Sequence, residues 1–327
     1  MTTPSDSDLR ALLHDAVSDV HPDSGPDQIR ARAKRPSATR WVPITVAAAA
    51  ATAVVIGGGA WLAQQQPSSN PPSAGPGTPQ SPSQAPAAPT HTVDATVFYT
   101  GATASGPRLF PELRRVTDAT DTDLQVAVDE ALTGTPHDPD YRNPFKALGV
   151  TAKAAVVSGA VTIDLSDSLQ RPSGMSAKDA EAAVQSLVRT ADAAAQSSAP
   201  VTFTVSGAPA ASVLGVDTSS PVAPASDDAA VSPVLIDTPA QGAKVSGRFT
   251  VTGRAATFEA NVVWELKRGN MVVRNGFTTA QECCTLAPYS FRVTAPPGDY
   301  TLVVHDTDES DGEGVGTSQD TKDITVE

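Results

Sequence analysis

The chain has 327 residues, more than one ordinary domain needs, and its 40% apolar content is enough for packed cores. Aromatic residues make up only 5%, so those cores are expected to be modest and rich in alanine. A formal net charge of -13 argues against nucleic-acid binding, since neutralising phosphates requires a basic patch. Acids and bases cancel over residues 1–40, which places the whole deficit after them.

Residues 1–40 open with Leu9, Leu12, Leu13, Ala16 and Val17 at helical spacing, one short amphipathic helix that His21 and Pro22 stop. Arg30, Arg32, Lys34, Arg35 and Arg40 then form a basic cluster with no acid among them. Residues 41–63, WVPITVAAAAATAVVIGGGAWLA, carry no charge. At ~1.5 Å per residue the run reaches roughly 33 Å as a helix, enough for a ~30 Å hydrocarbon core. Trp41 and Trp61 stand near its ends, where indole rings favour the headgroup zone. No Lys or Arg follows until Arg108, so the positive-inside bias puts the N-terminus in the cytoplasm. A cleaved signal peptide carries its charges within the first few residues, and a lipoprotein needs a cysteine just after the apolar run. Neither fits. The expectation is one uncleaved transmembrane anchor in the cell membrane, with everything beyond it outside the cytoplasm.

Residues 64–91 are rich in Pro and Ser and lack large apolar side chains, so they cannot bury a core and are expected to form a disordered linker. Residues 92–218 alternate element types. The stretch 92–100 has strand composition, and 121–132 repeats Leu124, Ala127, Val128, Ala131 and Leu132 at helical spacing, with Gly134 as a stop. Residues 153–157 and 160–165 read as a hairpin turned at Ser158 and Gly159. Ser176 is placed to cap an alanine-rich helix with Asp179 three residues on, and 201–205 supplies a closing strand. The pattern predicts an α+β domain with helices on one face of a small sheet. A second break at 219–232 reads as a linker between separately folding modules. Residues 233–327 then hold seven short strand candidates (233–236, 248–252, 261–267, 271–273, 289–294, 299–305 and 323–326), the number an immunoglobulin-like all-β sandwich requires.

Two resemblances bear on these modules. The ordered series VFYTGATASGPRLFPELRRV, EALTGTP, VSGAVTIDLSDSL, LVRTAD and VTFTVSGAPAASVLG resembles the GerMN domain of sporulation and spore-germination proteins over roughly residues 93–214. The series IDTPAQGAKVSGRFTVTGRAATFEANVVWELKRG, APYSFRV, PGDYTLVVHD and DESDGEG is similar to the immunoglobulin-like domain of bacterial spore germination proteins. Such domains often follow GerMN domains in one chain. The first resemblance implies no catalytic activity.

The residues themselves point the same way. The histidines are His14, His21, His91, His137 and His305, and none has a second histidine or a glutamate at metal-ligand spacing. No phosphate loop, nucleophile elbow or dinucleotide fingerprint follows an expected strand. The expectation is therefore no catalytic residues, no cofactor and no metal. Asp306, Asp308, Glu309, Asp311 and Glu313 form an acidic cluster with oxygen ligands suited to calcium, but Asp311 stands where an EF-hand loop wants glycine. A solvated loop is the favoured reading. Asp164 reads as a turn residue bonding nearby backbone. Cys283 and Cys284, the only cysteines, are adjacent and on the oxidising side. A vicinal disulfide between them is favoured, with free thiols or an intermolecular bridge as the alternatives.

The functional expectation is a non-enzymatic, membrane-anchored envelope protein. It presents two extracytoplasmic modules to a cell-wall polymer or an envelope protein partner. The alternative is an accessory sensor that couples envelope state to a cytoplasmic partner through the N-terminal helix.

Overall fold

The computed structural model describes residues 90–119, 121–307 and 316–327. The expected cytoplasmic tail, transmembrane helix and most of the Pro-rich linker lie outside the described residues, as do Asp308, Glu309, Asp311 and Glu313. Among the described residues no helix is long and apolar enough to cross a membrane. The described chain is rich in β-structure with few helices.

A long antiparallel hairpin opens it, β1 (His91–Thr103) against β2 (Gly106–Ala119). Valines 93 and 97 and Tyr99 alternate inward along β1. β2 was not among the expected strands, and Pro111 within it lacks a ladder donor. The order β2-β1-β3, with β3 at Tyr141–Arg142, resolves this: β2 is an edge, where proline is tolerated. Helix α1 (Asp123–Thr133) begins with Thr122 accepting from the Gln125 N–H. It ends at Gly134 for want of space. A Cβ there would come within 2.5 Å of the Glu130 carbonyl oxygen and 2.8 Å of Tyr99 Oη.

Strands β4 (Ala152–Val157) and β5 (Ala160–Leu165) form a hairpin whose turn residues, Ser158 and Gly159, both have positive φ (51° and 83°). That is the geometry whose twist suits a two-residue connection. From β5 the chain crosses through α2 (Ala177–Ala195) to the parallel strand β6 (Thr202–Val205), with β7 (Ala208–Pro209) beyond. Ser176 and Asp179 close a reciprocal cap at the start of α2. Alanines 180, 183 and 191, with Val184, Leu187 and Val188, form its buried stripe, which packs on α1 and β1. A small hairpin, β8 (Ser212–Val213) and β9 (Val216–Asp217), completes this half.

Residues 219–232 are packed rather than loose. Val201 and Val222 exchange backbone hydrogen bonds of 2.9 and 2.8 Å, and Gln185 clamps the Ala223 carbonyl and the Ala225 N–H. Arg189 reaches the Ala225 carbonyl and Asp227. A short helix α3 (Asp227–Ala230) leads to Val231, which is buried in the first core and bridges to Leu109. The segment has few large apolar residues, so its periodicity is weak. Hydrogen bonding to α2 orders it.

The remaining residues form two facing sheets. One joins β10 (Val234–Thr238), β12 (Arg248–Ala255) and β15 (Ala287–Thr294) in that order. The other runs β11-β17-β16-β13-β14, with β11 at Ala243–Val245, β13 at Asn261–Arg268, β14 at Met271–Thr279, β16 at Gly298–His305 and β17 at Gln319–Val326. Val251, Val262, Leu266, Leu302 and Val304 fill the space between the sheets. Among the described residues one strand more is present than the seven expected, the three-residue β11. β14 is also far longer than residues 271–273, because Arg274 and Asn275 break its apolar run without breaking its pairing to β13.

Candidate functional site

The two halves meet at a junction built on the loop that follows α1. Arg114 braces the Glu112 carboxylate at 2.7 Å and the Glu130 carboxylate at 3.3 Å. Glu112 in turn accepts from the backbone N–H of His137 (2.9 Å) and of Asp138 (3.2 Å). The Asp140 N–H donates to Asp138 Oδ1 at 2.9 Å. These bonds hold the loop so that Asp138 Oδ2 meets Lys322 Nζ, from β17, at 2.7 Å.

Lys322 is 5% exposed, Asp138 2% and Asp320 3%. The ammonium also donates to Asp320 Oδ1 at 2.8 Å and to Tyr141 Oη at 2.5 Å. Tyr141 Oη donates to Asp320 Oδ1 at 2.8 Å, and Asp320 Oδ2 accepts from the Ile236 N–H at 2.7 Å. At the rim, Thr321 donates to Asp140. Tyr141 stacks on Phe110 with ring centroids 4.7 Å apart. A lysine between two aspartates leaves one negative charge in excess. Burial accordingly pushes the Asp138 and Asp320 carboxyls up, against the pull of Lys322. Burial likewise raises the Tyr141 phenol.

Apolar contacts run alongside. Leu235 of β10 is buried in the first core, and Leu286 packs against it. Tyr289 Oη donates to the Leu235 carbonyl at 2.8 Å in a buried bond. Gly253 makes that bond possible, since a Cβ at 253 would lie 2.1 Å from the Leu235 oxygen. Such an arrangement fixes one half against the other. It offers no nucleophile beside a base.

The residues singled out in the sequence lie elsewhere. Cys283 and Cys284 are joined to each other in an exposed loop after β14, with Cys284 at φ 68°. Cys284 borders a small crevice with Asp227, Asp228, Ser232 and Leu286. His91 lies 3.1 Å from Asp123, His137 Nδ1 lies 3.5 Å from Glu112, and His305 Nδ1 contacts the Asp306 carbonyl at 2.6 Å. His14 and His21 are outside the described residues. Asp164 accepts from Thr204 Oγ1 (2.7 Å) and the Gly207 N–H (2.8 Å), and these bonds hold its carboxyl below the usual range. Asp306 accepts from the Ser318 N–H at 2.8 Å, which fastens one end of the acidic segment.

The junction residues were missed, although a signal was present. In QDTKDITV the period-2 alternation places Asp320 and Lys322 on the same face as Ile324 and Val326. Two charges on a core face announce a buried pair.

Two family models match the chain. Residues 96–211 match the family described as sporulation and spore germination, and residues 233–313 match the immunoglobulin-like domain of bacterial spore germination. No curated protein sequence matches. Among solved structures, the tandem GerMN domains of the sporulation protein GerM from Bacillus subtilis are 13% identical, with a TM-score of 0.32 over 63% of this chain and 62% of that one. An engineered protein solved by crystallography is 17% identical, with a TM-score of 0.23 over 49% of this chain and 38% of that one. A lytic polysaccharide monooxygenase from Jonesia denitrificans is 11% identical, with a TM-score of 0.21 over 27% of this chain and 60% of that one. The chain thus spans less than two thirds of each of these structures.

Proposed function

Because this chain joins a sporulation and spore germination domain to the immunoglobulin-like domain of bacterial spore germination, we propose that it is a non-enzymatic scaffold of the cell envelope. Its residues 92–218 and 233–327 are the two presented domains. A single N-terminal helix over residues 41–63 anchors them, with residues 1–40 in the cytoplasm and the rest held off the membrane by the Pro/Ser-rich segment. The partner is a cell-wall polymer or another envelope protein.

The observation that carries this reading is the junction. Among the described residues, the most deeply buried charges are Asp138, Asp320 and Lys322, and they fix one domain against the other. A fixed pair of domains presents one composite surface, which suits assembly. The basic cluster before the uncharged run supports the orientation. The test is protease added to intact spheroplasts producing the chain with an N-terminal tag. Digestion of everything beyond the anchor, with the tag surviving, is expected. Protection of the large fragment contradicts the proposal.

A further inference from the structure

The β14 edge of the second domain is only partly protected, by one charge, Arg274, and by a register shift opposite Leu266 and Lys267. Sheet edges are ordinarily kept short, charged or interrupted by proline, because their unpaired backbone groups template further strands. The opposite edge, β11, obeys this rule with three residues. β14 runs for nine residues, contains neither proline nor carboxylate, and pairs only with β13 among the described strands. Three of its apolar side chains are exposed: Phe277 is 75% exposed, Met271 64% and Val272 43%. Near its C-terminal end, Thr278 Oγ1 reaches the Ser290 carbonyl of β15. Among the described strands none pairs with this edge from Met271 to Phe277, although Arg274 already donates to the Val273 carbonyl.

Charge decides what fits there. Arg274 lies in the strand and donates only to the neighbouring Val273 carbonyl. Arg268, paired with Met271 across the ladder, bonds the Pro297 carbonyl and Tyr300 Oη. Arg292 stands two residues beyond Ser290 on the adjacent edge. Among the described residues none of the three has a carboxylate within ion-pair distance, which they share with Arg108, Arg142, Arg171 and Arg248, but these three gather beside one edge. Antiparallel pairing of β14 with the β14 of a second copy would bring the two Arg274 guanidiniums together, so charge at this edge favours an acidic partner segment.

We propose that β14 is the docking edge for a partner protein, and that it takes up an extended segment that alternates apolar and acidic residues. Backbone N–H and C=O groups of the segment continue the ladder, its apolar side chains cover Phe277 and Val272 on one face, and its carboxylates meet Arg274 and Arg268 on the other. An anionic polymer without a peptide backbone pairs with the guanidiniums but leaves the ladder groups to water. The assignment rests on the scaffolding reading and names the class of its partner.

The test uses the intact chain and a fluorescein-labelled nine-residue peptide alternating valine with glutamate, read by fluorescence anisotropy. Saturable binding is expected. It should weaken at least ~tenfold in Arg274→Glu and in Phe277→Asn, both exposed positions whose thermal midpoints should stay unchanged. A valine–lysine counterpart should fail to bind. N-methylation along one edge of the valine–glutamate peptide should abolish binding, while N-methylation along the other edge spares it. Four results overturn the assignment: no binding, equal binding of the lysine peptide, indifference to both substitutions, or full displacement by polyphosphate at matched charge. Concentration-dependent dimerisation in the ultracentrifuge that Phe277→Asn abolishes gives the edge to a second copy and overturns it too. If the peptide fails while the spheroplast digestion succeeds, the edge is wrong and the anchored scaffold stands. The reverse pair of results removes the location and keeps the edge.

Discussion

Replacing Lys322 by methionine removes the cation that Asp138 and Asp320 share and leaves a side chain of similar length. Asp138 and Asp320 then lose donors at 2.7 and 2.8 Å and keep only partial compensation, from the Asp140 and Ile236 N–H groups and from Tyr141. Breaking one member out of a buried ion pair costs about 3–5 kcal/mol, because the remaining charge stays desolvated. For a body of this size that corresponds to roughly 6–20 °C in the thermal midpoint. The pH dependence carries the diagnostic sign. Both carboxyls lie above their ordinary range in the folded chain, so the stability they contribute is fully present below about pH 4. That contribution is lost as pH rises through the folded values. Removing the ammonium moves those values higher still, so the Lys322→Met deficit should be largest near pH 8 and shrink toward pH 5. Asp138→Asn and Asp320→Asn added to Lys322→Met should recover much of the loss. Calorimetry on the intact chain at both pH values measures it. A deficit under about 1 kcal/mol, or one equal at both pH values, would refute the buried-pair reasoning.

Three further outcomes are expected. Gly253→Ala forces a Cβ toward the Leu235 carbonyl and Tyr289 Oη and should destabilise by at least ~2 kcal/mol in denaturant titration; an unchanged midpoint contradicts the close approach. Asp192 is buried, neither of its carboxylate oxygens has a hydrogen-bond partner among the described residues, and burial pushes its carboxyl up to about 6. Its ionisation costs stability that builds up as pH rises from about 4 to about 6, so Asp192→Asn should stabilise by roughly 1–2 kcal/mol near pH 8 and change little near pH 4, and a loss at pH 8 sinks the argument. The chain isolated without reductant should be a monomer about two mass units lighter than its reduced form, with no alkylatable thiol. Replacing both cysteines by serine should shift stability by less than about 2 kcal/mol, since closing so small a loop removes little unfolded-state entropy. A disulfide-linked dimer or two free thiols would show that Cys283 and Cys284 are not bonded to each other.

Local chemistry was legible in this sequence, and the long-range joins were not. The α2 cap at Ser176 and Asp179, its alanine stripe and the turn at Ser158 and Gly159 all follow from residues close in the chain. β2 was hidden because Pro111 argues against a strand until an edge position is known. β14 was cut short for a related reason: Arg274 and Asn275 interrupt its apolar run, while its ladder to β13 does not depend on side-chain type. The break at 219–232 looked like a linker because hydrogen bonds from Gln185 and Arg189, more than thirty residues away, do the ordering. The junction is more distant still, with Asp138 and Lys322 separated by 184 positions. Only the alternation of β17 hinted that its two charges face inward.

The account turns on the two domains behaving as one body, and scanning calorimetry of the unmodified chain tests that most directly. The described residues form one compact unit, with Leu235 in the first core and Lys322 between carboxylates from both halves. A single cooperative transition is predicted, with calorimetric and van't Hoff enthalpies in agreement. Lys322→Met should split or broaden it. Two resolved transitions in the unmodified chain, both unmoved by Lys322→Met, would contradict the claim that the junction joins the domains.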